Sequence, residues 1–376
     1  LKAELAEIQE ITVETTRKRR LKDFQHKLAG LKFLDPACGS GNFLTETYIS
    51  LRKLENEALR ALSDQIMLGD VTNPIQVSIG QFYGIEINDF AVTVAKTALW
   101  IAESQMMKET EDIMHMSLDF LPLKSYANIV EGNALRMDWE SVVPKYKLNY
   151  IMGNPPFVGA RLMDSIQKDD VNLIFDGWKN AGNLDYVCCW YKKAADLMAG
   201  TAIRSALVST NSVSQGGSVA NLWKPLFEGG VHIDFAHRTF RWDSEAKIKA
   251  HVHCVIIGFS IAPNSAPKVL YTSDRSQIVH NINGYLLDAE NIFVESRSKP
   301  LCKVPEIGIG NMPLDGGNYL FTEEEKTEFC AKEPEAEKWF RPWIGSHEFI
   351  NRYFRYCLYL KECPPNELRD MPECIK

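Results

Sequence analysis

"LDPACGSGNF", residues 34–43, joins a short apolar run to a helical pattern through a loop that contains two glycines. The apolar run "KFLD" ends at Asp35, and apolar residues recur at helical spacing over residues 43–62. Gly39 and Gly41 let the backbone turn tightly against a ligand, because glycine has no Cβ. The segment therefore predicts a strand, a ligand-binding loop and a helix, which together are the first unit of an α/β sheet.

Two common nucleotide-binding loops do not fit this glycine pattern. The dinucleotide-binding fingerprint has a third glycine, but Leu44 occupies that position. A phosphate-gripping P-loop has Lys followed by Ser or Thr after its glycines, and no such pair follows Gly41. The loop therefore suits a nucleoside-like ligand that has no pyrophosphate.

Strands and helices alternate along most of the chain. Apolar runs predict strands at residues 32–35, 82–87, 128–132, 148–153 and 204–210, with helices over 43–62, 91–106 and 184–199. The next two apolar runs, at 231–240 and 251–260, leave no room for a helix between them, so they predict an antiparallel hairpin. The expected fold is α/β, with a mixed seven-stranded sheet that is parallel except for this terminal hairpin.

The composition and the residue pattern of the sequence change at two points. Residues 1–29 form a rough, highly charged helical stripe that Gly30 ends, so residues 1–30 are predicted to be a helical spacer. Residues 31–262 contain the alternating strands and helices and are predicted to be the main domain. From about residue 262 the sequence is rich in Asn, Gly, Pro and Ser, so residues 263–376 are predicted to be a linker and a second, less regular module.

The bulk composition is that of a soluble globular protein, with 45% hydrophobic and 24% charged residues. No apolar stretch is long enough to span a bilayer, so no membrane partner is expected. Nine cysteines occur without zinc-ligand spacing. We therefore expect no metal site, and unpaired cysteines of this kind favour a reducing cytoplasm.

The net charge of −7 is not the basic balance of a small nucleic-acid-binding protein, but the local charge matters more than the total. "RKRRLK" at residues 17–22 is most simply a solvated helix face. "HRTFRWDSEAKIK" at residues 237–249 interleaves aromatic rings with basic side chains, Arg238 and Arg241 among them. This second segment is the better candidate for contact with nucleic acid.

Four predicted strands end in glycine-rich or polar residues, of which the glycine loop is the first. The second strand ends at Glu86, whose carboxylate could bridge two ribose hydroxyls. The third ends in "EGNAL", where Asn133 could read an adenine edge, and the fourth ends in "YIMGNPPFVG" at residues 150–159. Glu86 or Asn133 alone is more simply explained as a helix cap or a turn residue, and the Asn154 segment alone could be an ordinary loop that stops the strand. Because the carboxyl ends of parallel strands form one crevice, the four loops together predict a single ligand site.

The fourth strand stops at a rigid corner, Asn154-Pro155-Pro156-Phe157. Two consecutive prolines cannot continue a strand, because neither donates a backbone hydrogen bond and both fix φ. The corner therefore presents one amide side chain and one aromatic ring at the edge of the predicted crevice.

"DPACGSGNF" followed by "GNPPF" resembles the motifs of S-adenosylmethionine-dependent amino-methyltransferases that methylate adenine in DNA. Later segments are more specific and look like the MmeI-like group: "HIDFAHRTFRWDSEA" at 232–246, "NMPLDGGNYLFTEEE" at 311–325 and "RPWIGSHEFINRYFRYCLYL" at 341–360. In that group a methyltransferase and a target recognition domain are fused in one large restriction-modification enzyme. The resemblance covers nearly the whole chain. It implies a Rossmann-like class I methyltransferase fold, S-adenosylmethionine as cofactor and double-stranded DNA as partner.

The resemblance also implies roles for individual residues. The side-chain oxygen of Asn154 and the carbonyl of Pro155 would accept the two hydrogens of the target amine. Pro156 would keep these acceptors in place, and Phe157 would stack on a flipped adenine. Position 133 is often Asp in such enzymes, but the Asn133 amide can still accept a hydrogen bond. The implied cofactor-binding residues are Asp35, Pro36, Ala37, Cys38, Gly39, Gly41, Asn42, Phe43, Glu86, Ile87, Asn133 and Ala134, and the implied DNA-binding residues are Arg238 and Arg241.

The expected function is site-specific methylation of adenine N6 in DNA, within a restriction-modification or related defence system. The resemblance places a further cofactor-contacting segment, and any nuclease domain, before Leu1. It also implies that residues 263–376 are only the beginning of the recognition domain, which would continue after Lys376.

Two other functions stay open. An amino-methyltransferase that acts on RNA or on a protein glutamine would use the same Asn-Pro-Pro-Phe chemistry, and a DNA-specificity module could keep the fold without turnover. The module after residue 262 argues against a glutamine methyltransferase, which would normally lack it. The intact Asn154 corner and the pair Gly39 and Gly41 argue against a module without catalysis.

Overall fold

The computed structural model describes residues 1–63, 74–115, 127–242, 252–273, 275–297, 299–305 and 316–375. The chain divides into two compact units, Leu1–Ser296 and Arg297–Lys376. Within the described ranges, no helix is both long and apolar enough to cross a membrane.

A nine-stranded mixed sheet forms the centre of the first unit. Its strands are β1 (Phe33–Asp35), β2 (Phe82–Glu86), β3 (Asn128–Glu131), β4 (Tyr150–Gly153), β5 (Arg204–Thr210), β6 (His232–Trp242), β7 (Val252–Ser260), β8 (Lys268–Tyr271) and β9 (Ser276–Val279). They lie in the order β3-β2-β1-β4-β5-β7-β6-β8-β9. The first five strands are parallel, and β7 pairs antiparallel with both β5 and β6. The predicted α/β fold, with a parallel sheet closed by an antiparallel hairpin, is confirmed.

The sheet extends beyond the seven strands that the sequence predicts. β8 runs parallel to β6, and β9 turns back antiparallel to β8, so the described sheet continues past residue 262. Each added strand has only four residues and is surrounded by Pro, Asn and Ser, so no apolar run in the sequence predicts it. The division between the compact units falls after Ser296.

Eight α-helices are described in the first unit: α1 (Lys2–Gln9), α2 (Glu14–Gly30), α3 (Asn42–Ser63), α4 (Asp89–Met114), α5 (Ser165–Ile174), α6 (Cys188–Met198), α7 (Gly216–Ser218) and α8 (Lys224–Glu228). A π-helical segment, Val219–Trp223, joins the last two. The prediction of one continuous helix over residues 1–29 is wrong. The β-branched run Ile11-Thr12-Val13 separates two helices, and Val13 is extended, with φ −79° and ψ 109°.

Two hydrophobic clusters cover the two faces of the sheet. Side chains alternate between faces along a strand, so Phe33 packs with helices α2, α3 and α4, whereas Leu34 packs with α5 and α6. The cluster that contains Leu34 also holds the two largest fully buried side chains, Trp139 and Trp223. With both faces of β1 buried, its carboxyl end is fixed where the glycine loop begins.

The second unit has a three-stranded antiparallel sheet. Its elements are β10 (Leu320–Phe321), α9 (Glu323–Lys332), β11 (Phe340–Trp343), α10 (Ser346–Asn351), β12 (Arg355–Leu358) and α11 (Pro365–Arg369), with the strand order β10-β12-β11. Helix α9 begins with a capping box, in which Thr322 and Glu325 each accept the other's backbone N–H. A small core around Phe340, Leu358 and Met371 holds these elements together.

Candidate active-site cleft

A cleft of about 580 Å³ lies at the carboxyl ends of the parallel strands. The structure brings residues from four strand ends together in its lining. Predicted site residues in the lining are Pro36, Ala37, Gly39, Glu86, Ile87, Asn133, Ala134, Asn154 and Pro156. Within the described part of the chain, no group of three or more His, Cys, Asp or Glu side chains is arranged to hold a metal ion.

The glycine loop has a backbone conformation that other residues adopt with strain. Gly39 and Gly41 have φ values of 54° and 82°. The loop is closed by a hydrogen bond of 2.8 Å from the Gly41 N–H to the Cys38 carbonyl. The Trp190 indole N–H of α6 donates to the Pro36 carbonyl at 3.1 Å. The loop is therefore fixed both by its own turn and by the buried Trp190 ring, which lies on the α6 side of the sheet, whereas the helix α3 that follows the loop lies on the other side.

The other predicted residues of this loop do not line the cleft. Asp35 and Cys38 are buried, and Gly41 packs so closely on α4 that a Cβ there would lie 3.0 Å from the Ala95 Cβ. Two more, Asn42 and Phe43, are exposed at the start of α3.

Asp35 is a buried carboxyl group at the end of β1. Its Oδ1 accepts the Ala37 N–H at 3.0 Å, and its Oδ2 has no hydrogen-bond partner among the described residues. Burial raises the pKa of Asp35 to about 7; the nearby Glu86 charge adds to this rise, and the Ala37 N–H opposes it. The β4 backbone approaches closely here, since a Cβ on Gly153 would lie 2.5 Å from Asp35 Oδ1. A glycine at this position therefore lets the strand that carries Asn154 lie against Asp35.

Asp35→Asn should remove a pH dependence from the free energy of unfolding. The folded protein binds the Asp35 proton more tightly than the unfolded chain, whose pKa is 3.8. The protonated carboxyl therefore stabilises the fold fully below pH 3.8, and this stabilisation is lost as the pH rises to about 7. Urea unfolding at pH 5 and pH 7.5 should show that the wild type loses about 2–3 kcal/mol more than the variant. Equal losses in the two proteins would contradict the raised pKa.

Glu86 ends β2 with its carboxylate held by two backbone N–H groups. Oε2 accepts from Gly39 at 2.9 Å, and Oε1 accepts from Asn88 at 3.0 Å. Each carboxylate oxygen has two lone pairs, so one on each oxygen is left for a ligand in the cleft. The side chain is thus oriented before a ligand binds and can still accept two further hydrogen bonds.

Asn133 follows β3 and belongs to a polar network that the sequence did not indicate. Its Oδ1 accepts the Leu135 N–H at 2.9 Å, and its Nδ2 donates to Asp170 Oδ2 at 3.1 Å. Asp170 also accepts from the Tyr186 hydroxyl at 2.7 Å and from Arg136 Nε at 2.6 Å. Both Asp170 and Tyr186 line the cleft. One N–H and one lone pair of the Asn133 amide remain for a ligand.

The Asn-Pro-Pro-Phe corner has two exposed and two covered residues. Asn154 and Pro156 are exposed and line the cleft, whereas Pro155 is buried. The Phe157 ring is half-buried against the apolar cluster on the α6 side of the sheet and does not line the cleft. The structure therefore brings the Asn154 amide to the same cleft as Glu86.

A buried carboxylate fixes the chain that leaves this corner. Asp185 Oδ1 accepts the N–H groups of Val158 at 3.2 Å and Val187 at 3.1 Å. Its Oδ2 accepts the Thr210 hydroxyl at 3.2 Å, at the end of β5. The Tyr186 N–H donates to the Val158 carbonyl at 2.9 Å. Asp185 therefore ties the corner to the next strand of the sheet.

The two predicted DNA-binding arginines lie on β6, and Arg238 does not line the cleft. Arg238 is exposed at a place where the pairing of β6 with β7 shifts between His237 and Phe240. The Arg241 backbone pairs with His253, but its side chain lies outside what the structure describes. The rest of the basic segment, residues 243–249, also lies outside the described residues.

Comparison with protein families gives two matches that together span most of the chain. Residues 11–272 match the DNA-methyltransferase domain of MmeI, and residues 288–376 match the MmeI target recognition domain.

Individual relatives agree with these family matches. DNA methyltransferase A of Bacillus subtilis (strain 168) is 41% identical over 356 residues, covering 94% of this chain and 40% of that protein. A solved structure of the Type IIL restriction-modification enzyme MmeI in complex with DNA matches with a TM-score of 0.92 and 42% identity, over 100% of this chain and 50% of that one. A putative type II restriction enzyme and methyltransferase of Methanocaldococcus jannaschii is 31% identical over 85 residues, 23% of this chain and 7% of that protein.

The chain spans half the length or less of these relatives. The first family model alone matches more than half of the chain, and the resemblance to the MmeI-like group is confirmed. A cleft built from a glycine loop, an acidic strand end and an Asn-Pro-Pro-Phe corner therefore lies in a chain that belongs to the MmeI family of DNA methyltransferases.

Proposed function

We propose that this chain is the catalytic part of a site-specific adenine-N6 DNA methyltransferase, which uses S-adenosylmethionine within a restriction-modification system in the cytoplasm. The observation that carries the proposal is that the Asn154 amide, the glycine loop and the Glu86 carboxylate share one cleft. Methyl transfer to an amine would use an amide that accepts the amine hydrogens, placed beside a pocket that binds a nucleoside-type methyl donor.

The residues of the cleft fit the proposed cofactor. The two lone pairs left on Glu86 suit a pair of ribose hydroxyls, and the remaining N–H and lone pair of Asn133 suit an adenine edge. When bound, S-adenosylmethionine supplies an electrophilic methyl group.

Asn154 and Pro155 would activate the target nitrogen. The exocyclic amine of adenine is a poor nucleophile, because its lone pair is delocalised into the ring. The Asn154 side-chain oxygen and the Pro155 carbonyl would accept the two amine hydrogens, which draws the nitrogen toward tetrahedral geometry and frees the lone pair. The prolines, and the hydrogen bond that Asp185 accepts from the Val158 N–H just after the corner, hold these acceptors still. Catalysis is then electrostatic preorganisation rather than acid–base chemistry.

Double-stranded DNA is the proposed substrate. The amine of adenine is paired inside a duplex, so the base would have to flip out of the helix to reach the exposed Asn154 amide. The implied stacking on Phe157 would require the ring to leave its packing against the apolar cluster. Arg238 and Arg241 would contact phosphates beside the cleft and would contribute affinity without sequence specificity. The solved structure of MmeI in complex with DNA, to which this chain is similar, supports this proposal.

Catalysis and DNA recognition are proposed to belong to different units of the chain. Residues 1–30 would be a spacer, and residues 31–262, with the two added strands, would carry out catalysis. Residues from the second unit would belong to the recognition domain, which reads base edges. The same module argues against a methyltransferase that acts on protein glutamine.

Methylation-aware sequencing of DNA from a host that expresses the full-length gene tests this proposal. We expect N6-methyladenine at every copy of one short DNA sequence, and a much smaller methylated fraction at that sequence in a host that expresses the Asn154→Ala variant. An unmethylated genome in a host that produces soluble wild-type protein would contradict DNA methylation as the function.

A further inference from the structure

Asp170 is a buried carboxylate in contact with Asn133, although the two residues are far apart in sequence. It lies on α5 and is 1% exposed. The helix begins with a capping box between Asp164 and Gln167, and one side of its first two turns, including Ile166 and Asp170, lines the cleft. The position of Asp170 is therefore set by the start of the helix and does not depend on a ligand.

Both oxygens of Asp170 accept hydrogen bonds from its surroundings. Oδ2 accepts from the Tyr186 hydroxyl and from Asn133 Nδ2, and Oδ1 accepts from Arg136 Nε. Burial alone would raise the pKa of Asp170, but the bonds from Tyr186, Arg136 and Asn133 outweigh it and hold the pKa below its usual range. An ionised carboxylate can only accept hydrogen bonds, so Asp170 requires donors on every side.

This requirement leaves the Asn133 amide one orientation. Its Nδ2 must face the Asp170 carboxylate, and its Oδ1 must face the Leu135 N–H, as the structure shows. A flipped amide would set oxygen against carboxylate and N–H against N–H, losing both hydrogen bonds. The partners of Asn133 therefore decide which of its atoms is the acceptor.

We propose that Asp170 is a positioning residue that fixes the Asn133 amide and thereby makes the cofactor site selective for a 6-aminopurine over a 6-oxopurine. The inference rests on the proposed function, because it assumes that the cleft binds a nucleoside-type cofactor. Asp170 acts through Asn133.

The chemistry of the two purines explains the selectivity. Adenine presents an amino donor at position 6 beside a ring-nitrogen acceptor, and an amide can pair with both. Hypoxanthine has an oxygen acceptor at position 6 and carries a hydrogen on N1, so its pattern is reversed on that edge. An Asn133 amide with a fixed oxygen acceptor matches adenine and sets oxygen against oxygen with hypoxanthine.

The test is a pair of calorimetric titrations of the full-length protein, with S-adenosylhomocysteine and S-inosylhomocysteine as probes. We expect the wild type to bind the adenosyl compound about 10- to 100-fold more tightly, the range for an unpaired polar group in a site. In Asp170→Asn, Arg136 would hold the remaining side-chain oxygen and turn the new NH₂ toward Asn133. The preference should then fall to about 3-fold or less, on the same free-energy scale.

Tyr186→Phe is the matched control. It removes another hydrogen bond to the same Asp170 oxygen but leaves that oxygen as an acceptor for Asn133. Any loss of affinity should fall on both compounds equally, so the preference should stay near the wild-type value. A preference that falls as far in Tyr186→Phe as in Asp170→Asn would show general loosening of the site and would overturn the inference.

A second variant keeps the test independent of how well Asp170→Asn folds. Asn133→Ala removes the proposed reader and should lose the preference, and adding Asp170→Asn to it should change the preference no further. If either single variant kept the wild-type preference for the adenosyl compound, the inference about Asp170 would be overturned. The proposed function would stand in that case, since the wild type would still bind the cofactor product. A wild type that binds neither compound would contradict the proposed function as well.

Discussion

Asn154→Ala should reduce the rate of methyl transfer by about 100- to 1000-fold, the usual cost of removing one preorganised acceptor at a reacting group. The side chain is exposed in the cleft at the end of β4, while Pro155 is buried behind it. The substitution therefore removes the acceptor without creating a cavity in the core. Single-turnover methyl incorporation into duplex DNA by the full-length protein measures the loss, and calorimetry with S-adenosylhomocysteine should show cofactor affinity within about twofold of the wild type.

Asn154→Asp is the matched control for this prediction. It keeps an oxygen acceptor of nearly the same shape and should retain more activity than the alanine variant. Activity in Asn154→Ala above a tenth of the wild-type rate would show that the amide does not activate the target nitrogen. Loss of cofactor binding in the same variant would instead move Asn154 to the cofactor site.

Glu86→Ala should weaken cofactor binding by about 1.5–3 kcal/mol, or roughly 10- to 160-fold in Kd, as expected for hydrogen bonds to a charged group. The carboxylate has two roles in the structure. It accepts the N–H groups of Gly39 and Asn88, and it leaves one lone pair on each oxygen for ribose hydroxyls. The alanine variant loses both the ligand contacts and the acceptor that holds Gly39.

Glu86→Gln separates the two roles of the carboxylate. The amide keeps one acceptor oxygen and removes the charge, so its affinity should lie between those of the wild type and Glu86→Ala. Thermal unfolding checks that the loop and sheet remain intact in both variants. Unchanged calorimetric affinity in Glu86→Ala would place the cofactor outside this cleft.

The fold was predictable where apolar runs are long or where strands and helices alternate. The parallel strands follow from that alternation, and the antiparallel β7 follows from the short connection between residues 240 and 251. Strands β8 and β9 were missed because four-residue edge strands carry too few apolar positions to stand out from a loop. The break between α1 and α2 depends on three β-branched residues within a charged pattern that otherwise continues.

The candidate site was predictable only for residues at strand ends, which parallel topology must bring to one edge. Gly39, Glu86, Asn133 and Asn154 meet there for that reason. Asp170 and Asp185 were missed, because the partners that show their roles, Asn133, Tyr186, Val158 and Thr210, are 16 to 37 residues away in sequence and no local spacing indicates those contacts. From sequence alone, a polar residue in a helical or loop segment is predicted to be exposed to solvent, and only the tertiary structure shows that it is buried.

The central claim is that this cleft methylates the amine of adenine in duplex DNA. The most direct measurement incubates the purified full-length protein with S-adenosylmethionine carrying an isotopically labelled methyl group, in parallel with duplex DNA, RNA and a glutamine-containing peptide. Each product is then digested and analysed by mass spectrometry. We predict that the label appears as N6-methyldeoxyadenosine from the duplex alone, and that Asn154→Ala lowers the rate of its formation about 100- to 1000-fold. Label in the RNA or the peptide but not in the duplex, or in another DNA base, would contradict the claim.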